Sequence, residues 1–344
     1  NRSSYLFNTT VAGIEHADAC LIIGSNPRLE NPLLNARIRK RHLMGNFPVG
    51  VLGGINNPTV DLTYPYQFLG QSTETLIDIL EDRSVFSKLL NKAKKPMIIL
   101  GVGALTRTDS FALLSIVNDI LEKFNIVSNV WNGFNILHTA ASRVGGLDIG
   151  FVPCKGGLDT HGILNAAHDG NLDTVFLLGA DELNMSMLKK AFIIYQGHHG
   201  DTGAQNADVI LPGSAYTEKS GTYVNLEGRV QRTTQAVFPP GNAREDWTII
   251  RALSEVLGFS LPYDSLKELR LRMVDENNVF QSYDTLEKET WHRIGCSGQT
   301  SNEPILSHID NFYMTDPISR ASETMAACTD SFYSEPIQKV NANG

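Results

Sequence analysis

Cysteine is scarce in this sequence and widely spaced. The 344 residues include four cysteines, namely Cys20, Cys154, Cys296 and Cys328. No two of them form the Cys-x-x-Cys pair that many iron–sulfur and structural zinc sites use, and they are too few for a small secreted domain held by disulfides. We therefore expect no iron–sulfur cluster within this chain, and a reducing compartment.

Long apolar runs are also missing. A helix that spans a bilayer needs about 20 apolar residues, and the longest runs here, such as residues 96–100, have the length of a buried strand. The net charge of −8 gives no general attraction to nucleic acid. The sequence starts at Asn1 without Met or a signal-type leader, so we expect any targeting segment to have been removed or to lie elsewhere. We predict neither a membrane span nor a nucleic-acid partner.

The common catalytic motifs are absent as well. The sequence has neither the Gly-x-Ser-x-Gly elbow of hydrolases nor the Gly-x-Gly-x-x-Gly loop of dinucleotide-binding proteins. Residues 198–201 contain His198, His199 and Asp201, but adjacent side chains of an extended segment point to opposite sides, so we expect a structural loop. A nucleophilic site would have to combine Asp201, Ser214, Thr217 and Ser220, residue types that occur together by chance. We predict no catalytic residue and no metal ligand.

Apolar runs alternate with amphipathic segments through the first two thirds of the chain. Uninterrupted apolar runs predict buried strands at 17–24, 47–52, 97–101, 174–179, 191–195 and 208–212. Helical spacing predicts helices at 31–44, 72–81, 84–93, 109–124 and 184–190, and Asn and Pro predict a turn at 56–58. Because strands of parallel sheets are covered on both faces and lack alternation, the pattern predicts a doubly wound α/β fold.

The pattern changes after residue 212. Residues 221–225 and 229–233 predict a hairpin whose turn contains Gly228, and residues 243–257 predict an amphipathic helix that ends before Gly258. We therefore predict a first α/β lobe at 1–92, a second at 93–213, a hairpin and helix that complete the core at 214–260, and a tail that lies on a partner at 261–344.

Two short segments are candidates for contacts with other molecules. Gly24, Ser25 and Asn26 follow the first predicted strand, where open α/β sheets bind ligands; the same residues also make an ordinary strand-to-helix turn. We predict no bound cofactor and keep these three as candidates for a nucleotide loop. The basic residues 37–42 predict a solvated helix face, with docking of an acidic subunit or a polyphosphate as the alternative.

Several of these segments resemble the molybdopterin oxidoreductase family. The resemblance is carried by residues 24–27, 208–212, Glu218, 221–222, Asn225 and 227–231. A narrower resemblance, to the large iron–sulfur (75 kDa type) subunits of respiratory complex I, is carried by residues 62–64, 195–201, 243–247 and 312–322. It implies packed Rossmann-like lobes with helix-flanked parallel sheets, and a position on the matrix side of the mitochondrial inner membrane.

The resemblance also implies a division of labour. In that family the iron–sulfur clusters belong to a Cys-rich N-terminal region, which this sequence does not contain, and no position here matches the molybdenum-ligating residue of the catalytic enzymes. The chain is then a non-catalytic part of NADH:ubiquinone reductase without redox centres. Its partners are other matrix-arm subunits, above all the Cys-rich part, whether a separate chain or part of a longer one. The alternatives are a fragment of a catalytic enzyme such as a formate dehydrogenase or nitrate reductase, or a nucleotide-binding module.

Overall fold

The chain folds into two compact units. A computed structural model describes residues 1–55 and 59–333, so the turn predicted at 56–58 and the predicted tail beyond 333 lie outside the described residues. Unit 1 comprises residues 1–151, 222–232 and 273–310, and unit 2 comprises 152–221, 233–272 and the residues from 311 onward. Within the two described ranges, no helix is long and apolar enough to cross a membrane.

Unit 1 is built on a five-stranded parallel sheet in the order β3-β2-β1-β4-β5. Its strands are β1 (Ala19–Ile23), β2 (Val49–Leu52), β3 (Gln67–Gly70), β4 (Pro96–Gly101) and β5 (Phe134–Leu137). All residues of β1, β2 and β4 are buried, as their uninterrupted apolar sequences predict, and those of β5, which include Asn135, are buried as well. The predicted doubly wound α/β class is therefore confirmed.

Helices cover both faces of this sheet. The helices of residues 1–151 are α1 (Pro27–Glu30), α2 (Pro32–Leu43), α3 (Thr73–Leu80), α4 (Val85–Lys92), α5 (Val102–Leu105), α6 (Ser110–Lys123) and α7 (Arg143–Asp148). Because side chains alternate along a strand, Leu21 and Ile23 of β1 pack in one apolar cluster with α3, α4 and α6. Cys20 and Ile22 pack in the other, with α2.

Unit 2 contains a smaller parallel sheet of three strands in the order β6-β7-β8. The strands are β6 (Thr174–Leu178), β7 (Phe192–Gly197) and β8 (Val209–Pro212). The helices in and after this region are α8 (Thr160–Asp169), α9 (Thr202–Gln205), α10 (Asp246–Val256), α11 (Leu266–Glu276), α12 (Pro317–Arg320) and α13 (Glu323–Tyr333). The helix predicted at 184–190 is instead a short 3-10 turn, Met185–Leu188.

The predicted hairpin is present and belongs to unit 1. Strands β9 (Thr222–Val224) and β10 (Val230–Arg232) pair antiparallel, and Gly228 has a φ of +86° in the turn between them. Val224 and Val230 pack in a small apolar cluster with Leu6 and Val144. The hairpin therefore extends the core of unit 1.

Unit 1 and unit 2 do not follow the four predicted ranges. The boundary at 92/93 falls within one sheet, because β4, which was expected to open a second lobe, pairs directly with β1. The segment 214–260 is divided between both units, and residues 273–310 of the predicted tail belong to unit 1. The predicted boundary was wrong because an apolar run such as that of β4 has the same sequence pattern whether the strand starts a new sheet or extends an existing one.

Candidate functional site

The candidate site lies at the carboxyl end of the unit 1 sheet. The strand order reverses between β1 and β4, and this is the place where the connections of an open α/β sheet diverge and leave a ligand crevice. Three loops meet there, namely 24–26 after β1, 53–54 after β2 and 101–103 at the end of β4. The predicted candidates Gly24, Ser25 and Asn26 form the first of these loops.

Glycines allow the three loops to pack backbone against backbone. A Cβ on Gly54 would lie 2.1 Å from the backbone nitrogen of Ser25, and one on Gly101 would lie 2.4 Å from the carbonyl oxygen of Gly24. Real Cβ atoms do not come this close to backbone, and Gly54 also has a φ of +73°, which favours glycine. The glycines thus serve close packing of the loops on one another.

A carboxylate of the chain itself occupies the first loop. The backbone N–H of Asn26 donates to Oε1 of Glu30 at 2.9 Å, and the hydroxyl of Ser25 donates to Oε2 at 2.7 Å. The hydroxyl of Ser307 donates to Oε1 at 3.1 Å. Backbone and hydroxyl donors at the start of a helix are the groups that bind phosphate in nucleotide sites, so Glu30 takes the place of an anion here.

Burial dominates the electrostatics of Glu30. Desolvation raises the pKa of its carboxyl above the usual value, although the hydrogen bonds from Asn26, Ser25 and Ser307 act in the opposite direction. Burial thus favours the protonated carboxyl, and the three donors favour the carboxylate. In either form Glu30 occupies the three donors that a phosphate group would need.

The crevice between the loops is filled by residues 301–307, which we call the crevice segment. The N–H of Gly54 donates to the carbonyl of Ile305 at 2.8 Å, and the N–H of Ile305 donates to the carbonyl of Gln71 at 2.8 Å. The Ile305 side chain is 1% exposed and packs in an apolar cluster of the sheet. A Cβ on Gly103 would lie 1.9 Å from the carbonyl oxygen of Leu306. The segment therefore fits closely against all three loops.

An ion pair anchors the start of the crevice segment. Arg107 and Asp109 form a salt bridge of 2.7 Å that is largely buried. The Arg107 guanidinium donates to the carbonyl of Ser301 at 3.0 Å, and the N–H of Ser301 donates to Asp109 at 2.6 Å. Hydrogen bonding to Arg107 is the main reason why the pKa of Asp109 lies below its usual value. The segment is thus held at Ser301 as well as at Ile305.

In this arrangement the residues do not fit the phosphate of a pterin dinucleotide. The N–H of Gly54 already donates to Ile305, and the N–H of Asn26 already donates to Glu30. Ile305 and Leu306 lie where a nucleotide would have to approach the glycines. In the part of the chain that the structure describes, no three His, Cys, Asp or Glu side chains are grouped so that they could hold a metal ion.

Unit 1 also contains a cavity of about 340 Å³, a volume at the lower end of those of ligand pockets. Its lining includes Glu30, His138, Ser142 and Tyr223. His138 donates from Nε2 to the carbonyl of Tyr5 at 2.8 Å, and burial lowers the pKa of its imidazole. The imidazole of His138 is therefore held by the backbone, and burial favours its neutral form.

A second carboxyl-end cluster, in unit 2, was missed by the sequence reasoning. Asp181 follows β6 and Asp201 follows β7, and the guanidinium of Arg320 contacts both, at 2.7 and 2.5 Å. Burial raises the pKa of Asp181, whereas hydrogen bonding to Arg320 lowers that of Asp201. The position of both carboxylates just after apolar runs was a usable signal, but nothing in the sequence indicated Arg320.

The histidine pair corrects one expectation. The Nδ1 atoms of His198 and His199 lie 2.7 Å apart, although their side chains were expected to point to opposite sides. The expectation was wrong because residues 198–199 form a bend after β7 and are not extended. Asp201 does not join the two imidazoles in a site, since its carboxylate binds Arg320 and the N–H of Thr202.

The basic residues 37–42 contact the chain itself. Arg37 and Lys40 both pair with Glu15, Arg41 donates to the carbonyl of Ala17, and Arg39 donates to that of Thr63. The positive charges of α2 thus fasten this helix to the surrounding loops of unit 1.

Comparisons with known proteins agree with this architecture. A family model described as molybdopterin oxidoreductase matches residues 1–256, and one described as the C-terminal part of the G-type subunit of NADH-ubiquinone oxidoreductase matches residues 285–328. The second match includes the crevice segment. It follows that the segment lies in a region with a family pattern of its own.

Similar proteins carry consistent names. The chain is 47% identical over 331 residues to the NADH-ubiquinone oxidoreductase 75 kDa subunit of Reclinomonas americana, covering 95% of this chain and 47% of that protein. It is 46% identical to the 78 kDa subunit of Neurospora crassa (95% and 44% covered) and 44% identical to the G-type subunit of the NADH-quinone oxidoreductase of Rickettsia bellii (96% and 46%). The chain thus spans about half the length of these curated relatives. From the family match over residues 1–256, this chain belongs to the molybdopterin oxidoreductase family.

Proposed function

We propose that this chain is a structural part of respiratory complex I that supports electron transfer from NADH to ubiquinone without carrying a redox centre. The observation that carries the proposal is the filled crevice: Glu30 and the crevice segment occupy the place where a catalytic relative would hold its nucleotide cofactor. The names of the similar proteins supply the complex. Participation in oxidoreductase activity then belongs to the complex as a whole.

The environment of one cysteine supports the same proposal. Cys20 is fully buried in β1, where desolvation raises the pKa of its thiol far above the usual range. Such a thiol stays protonated and is a poor metal ligand. We propose that the iron–sulfur clusters lie in the Cys-rich part that the family resemblance implies, whether a separate chain or part of a longer one.

A rigid support is what this fold provides. The sheet of unit 1 is packed on both faces, and its carboxyl end is closed by a segment from far along the chain. We propose that it holds the cluster-bearing part and other matrix-arm subunits at fixed distances, on the matrix side of the mitochondrial inner membrane. Fixed distances between redox centres are what a chain of electron transfers requires of its protein scaffold.

Two measurements test the proposal. On a native gel, the chain is expected to migrate with NADH dehydrogenase activity in one large complex. Metal and phosphorus analysis of the purified chain is expected to give no stoichiometric molybdenum and no pterin nucleotide. A chain that runs alone as an active soluble oxidoreductase, or that contains one molybdenum per chain, would contradict the proposal and favour a fragment of a catalytic molybdopterin enzyme.

A further inference from the structure

One face of the unit 2 sheet is packed by its own helices. Val175 and Leu177 of β6 and Ile193 and Tyr195 of β7 are buried. They form an apolar cluster with Ala167 of α8, with Leu188 of the 3-10 turn between β6 and β7, and with Ala204 of α9. The helix before β6 and the connections from β6 to β7 and from β7 to β8 therefore all pack on the same face.

The described residues of unit 2 leave the opposite face apolar and largely uncovered. In the register of the sheet Phe176, Ile194 and Val209 lie side by side across the three strands, and Leu178 and Phe192 lie one step along on the same side. Four of these large side chains are markedly exposed: Phe176 by 37%, Leu178 by 45%, Phe192 by 47% and Val209 by 39%. We call these five residues the open face.

An exposed face of this kind is unusual for a parallel sheet. Parallel sheets are covered on both faces almost without exception, and a contiguous apolar patch of large residues marks an interaction surface. The sheet of unit 1 shows the usual arrangement, with one apolar cluster on each face. We therefore expect the apolar surface of a helix to pack on the open face.

The topology limits where such a cover can originate. The strands follow one another in sheet order β6-β7-β8, so each connection crosses in the same direction and packs on the same side. In unit 1 the fourth strand, β4, joins the sheet beside β1, the sheet then grows in the other direction, and helices cover both faces. Unit 2 has strands equivalent to one half of such a doubly wound sheet.

We propose that the open face binds a strand-and-helix segment from the polypeptide that makes up the rest of the length of the 75 kDa relatives. Those relatives are about twice as long as this chain, so they contain material that could complete the half sheet. The segment adds a strand at the edge of the sheet and lays the apolar side of its helix on Phe176, Phe192 and Leu178. The occupant is taken from the relatives, and to that extent the inference rests on the proposed function.

The test uses a defined probe. The part of the Reclinomonas americana 75 kDa subunit that this chain does not match is co-expressed with the chain as a separate, tagged polypeptide. Phe192→Asp on the open face is compared with Phe238→Asp, because Phe238 is also in unit 2, is 89% exposed and lies outside the sheet. Co-purification is expected to fall by about tenfold or more for Phe192→Asp, because binding would bury its charge in an apolar contact, and to stay unchanged for Phe238→Asp.

Two further readouts keep the result clear. Thermal unfolding of each variant alone is expected to match that of the parent, since both side chains are exposed in the isolated chain. Hydrogen exchange in β6 and β7 is expected to slow when the probe binds the parent. Equal retention of the probe by parent and Phe192→Asp overturns the inference while leaving the complex I proposal standing.

Two other outcomes also decide the matter. If the parent fails to bind the probe and also fails to migrate with complex I, the proposed function fails with it. If the parent ignores the probe and forms a dimer that Phe192→Asp dissociates, the open face is an interface between two copies of this chain, and the inference is overturned.

Discussion

The two parallel sheets of this chain differ in how completely they are enclosed. The unit 1 sheet has apolar clusters on both faces, and its carboxyl-end crevice is filled by Ile305 and its neighbours. The unit 2 sheet has one packed face, and at its carboxyl end the guanidinium of Arg320 pairs with both Asp181 and Asp201. In both sheets, residues from late in the sequence supply the group at the carboxyl end.

This difference indicates that the two units contribute differently to the stability of the chain and to its binding of other polypeptides. The unit 1 sheet is packed on both faces, and the donors of its first loop are occupied by Glu30. The unit 2 sheet leaves one apolar face exposed. The scaffold function that we propose needs both a rigid region and a surface that receives partners.

The largest contrast is expected from truncating the same residue type in the two sheets. Leu21 of β1 is fully buried, whereas Leu178 of β6 is 45% exposed. Leu21→Ala should lower the free energy of unfolding by about 4 kcal/mol, because it leaves a cavity, and Leu178→Ala by less than about 1 kcal/mol. Urea unfolding of both variants checks this, and equal losses would show that the open face is already covered in the isolated chain.

The fit of the crevice segment is tested next. Gly103→Ala places a Cβ against the carbonyl of Leu306 and should cost about 3 kcal/mol through overpacking. Gly146→Ala is the matched control, because Gly146 also lies in a short helix and has nothing within 4 Å of its Cβ position. Limited proteolysis should show faster cleavage within residues 301–307 for Gly103→Ala alone. Equal stability and equal cleavage of the two variants would show that the crevice segment does not pack against Gly103.

Removing Arg320 should have a smaller effect, confined to unit 2. Arg320→Gln leaves the buried Asp181 without its cation and should cost about 2 kcal/mol at neutral pH. Burial raises the pKa of Asp181 in the folded chain above the ordinary value of 3.8. The stability that this carboxyl contributes therefore falls as the pH rises above 3.8, and the fall should be steeper in the variant. Arg28→Gln, which breaks an exposed pair with Asp61, should cost less than about 0.5 kcal/mol. Melting curves at pH 4 and pH 7 separate the two.

The smallest effect concerns the internal anion of unit 1. Folding raises the pKa of Glu30, so the folded state binds more protons than the unfolded state just above pH 4.5, and stability contributed by the protonated acid is lost as pH rises. Glu30→Gln cannot ionise, so the parent should lose stability relative to the variant across this range. Thermal unfolding followed from pH 4 to pH 7 measures the difference. A parent that gains stability relative to Glu30→Gln as pH rises would mean that the three donors outweigh burial.

The sequence predicted the sheet better than it predicted the site. β1 and β4 were found because their uninterrupted apolar residues have few alternatives to a buried strand. β5 was missed because Asn132 and Asn135 break its apolar run, although Asn135 is fully buried and donates to backbone carbonyls at 3.0 and 3.1 Å. A search for apolar runs finds buried strands by their apolar residues. It treats asparagine as a break in the run, although an amide whose hydrogen bonds are satisfied within the protein can be buried.

The position of residues 24–26 after a buried strand was predicted, but the residues that pack against this loop were not. Gly24–Asn26 follows an apolar run, and this is a local signal. The crevice segment has no helical or strand periodicity, and its bond from Ser307 to Glu30 joins residues 277 positions apart. A contact between residues so far apart in the sequence depends on the whole fold, so no local sequence pattern predicts it. For the same reason the tail was assigned to a partner when part of it completes unit 1.

Hydrogen exchange at the crevice tests the central claim most directly. The purified chain is followed with and without guanosine diphosphate, the simplest probe of a nucleotide site. The account predicts slow exchange at Gly54 and Ile305, whose N–H groups donate within the crevice, and no change on adding the nucleotide. Fast exchange at both positions, together with protection of Gly54 and Asn26 by the nucleotide, would contradict it.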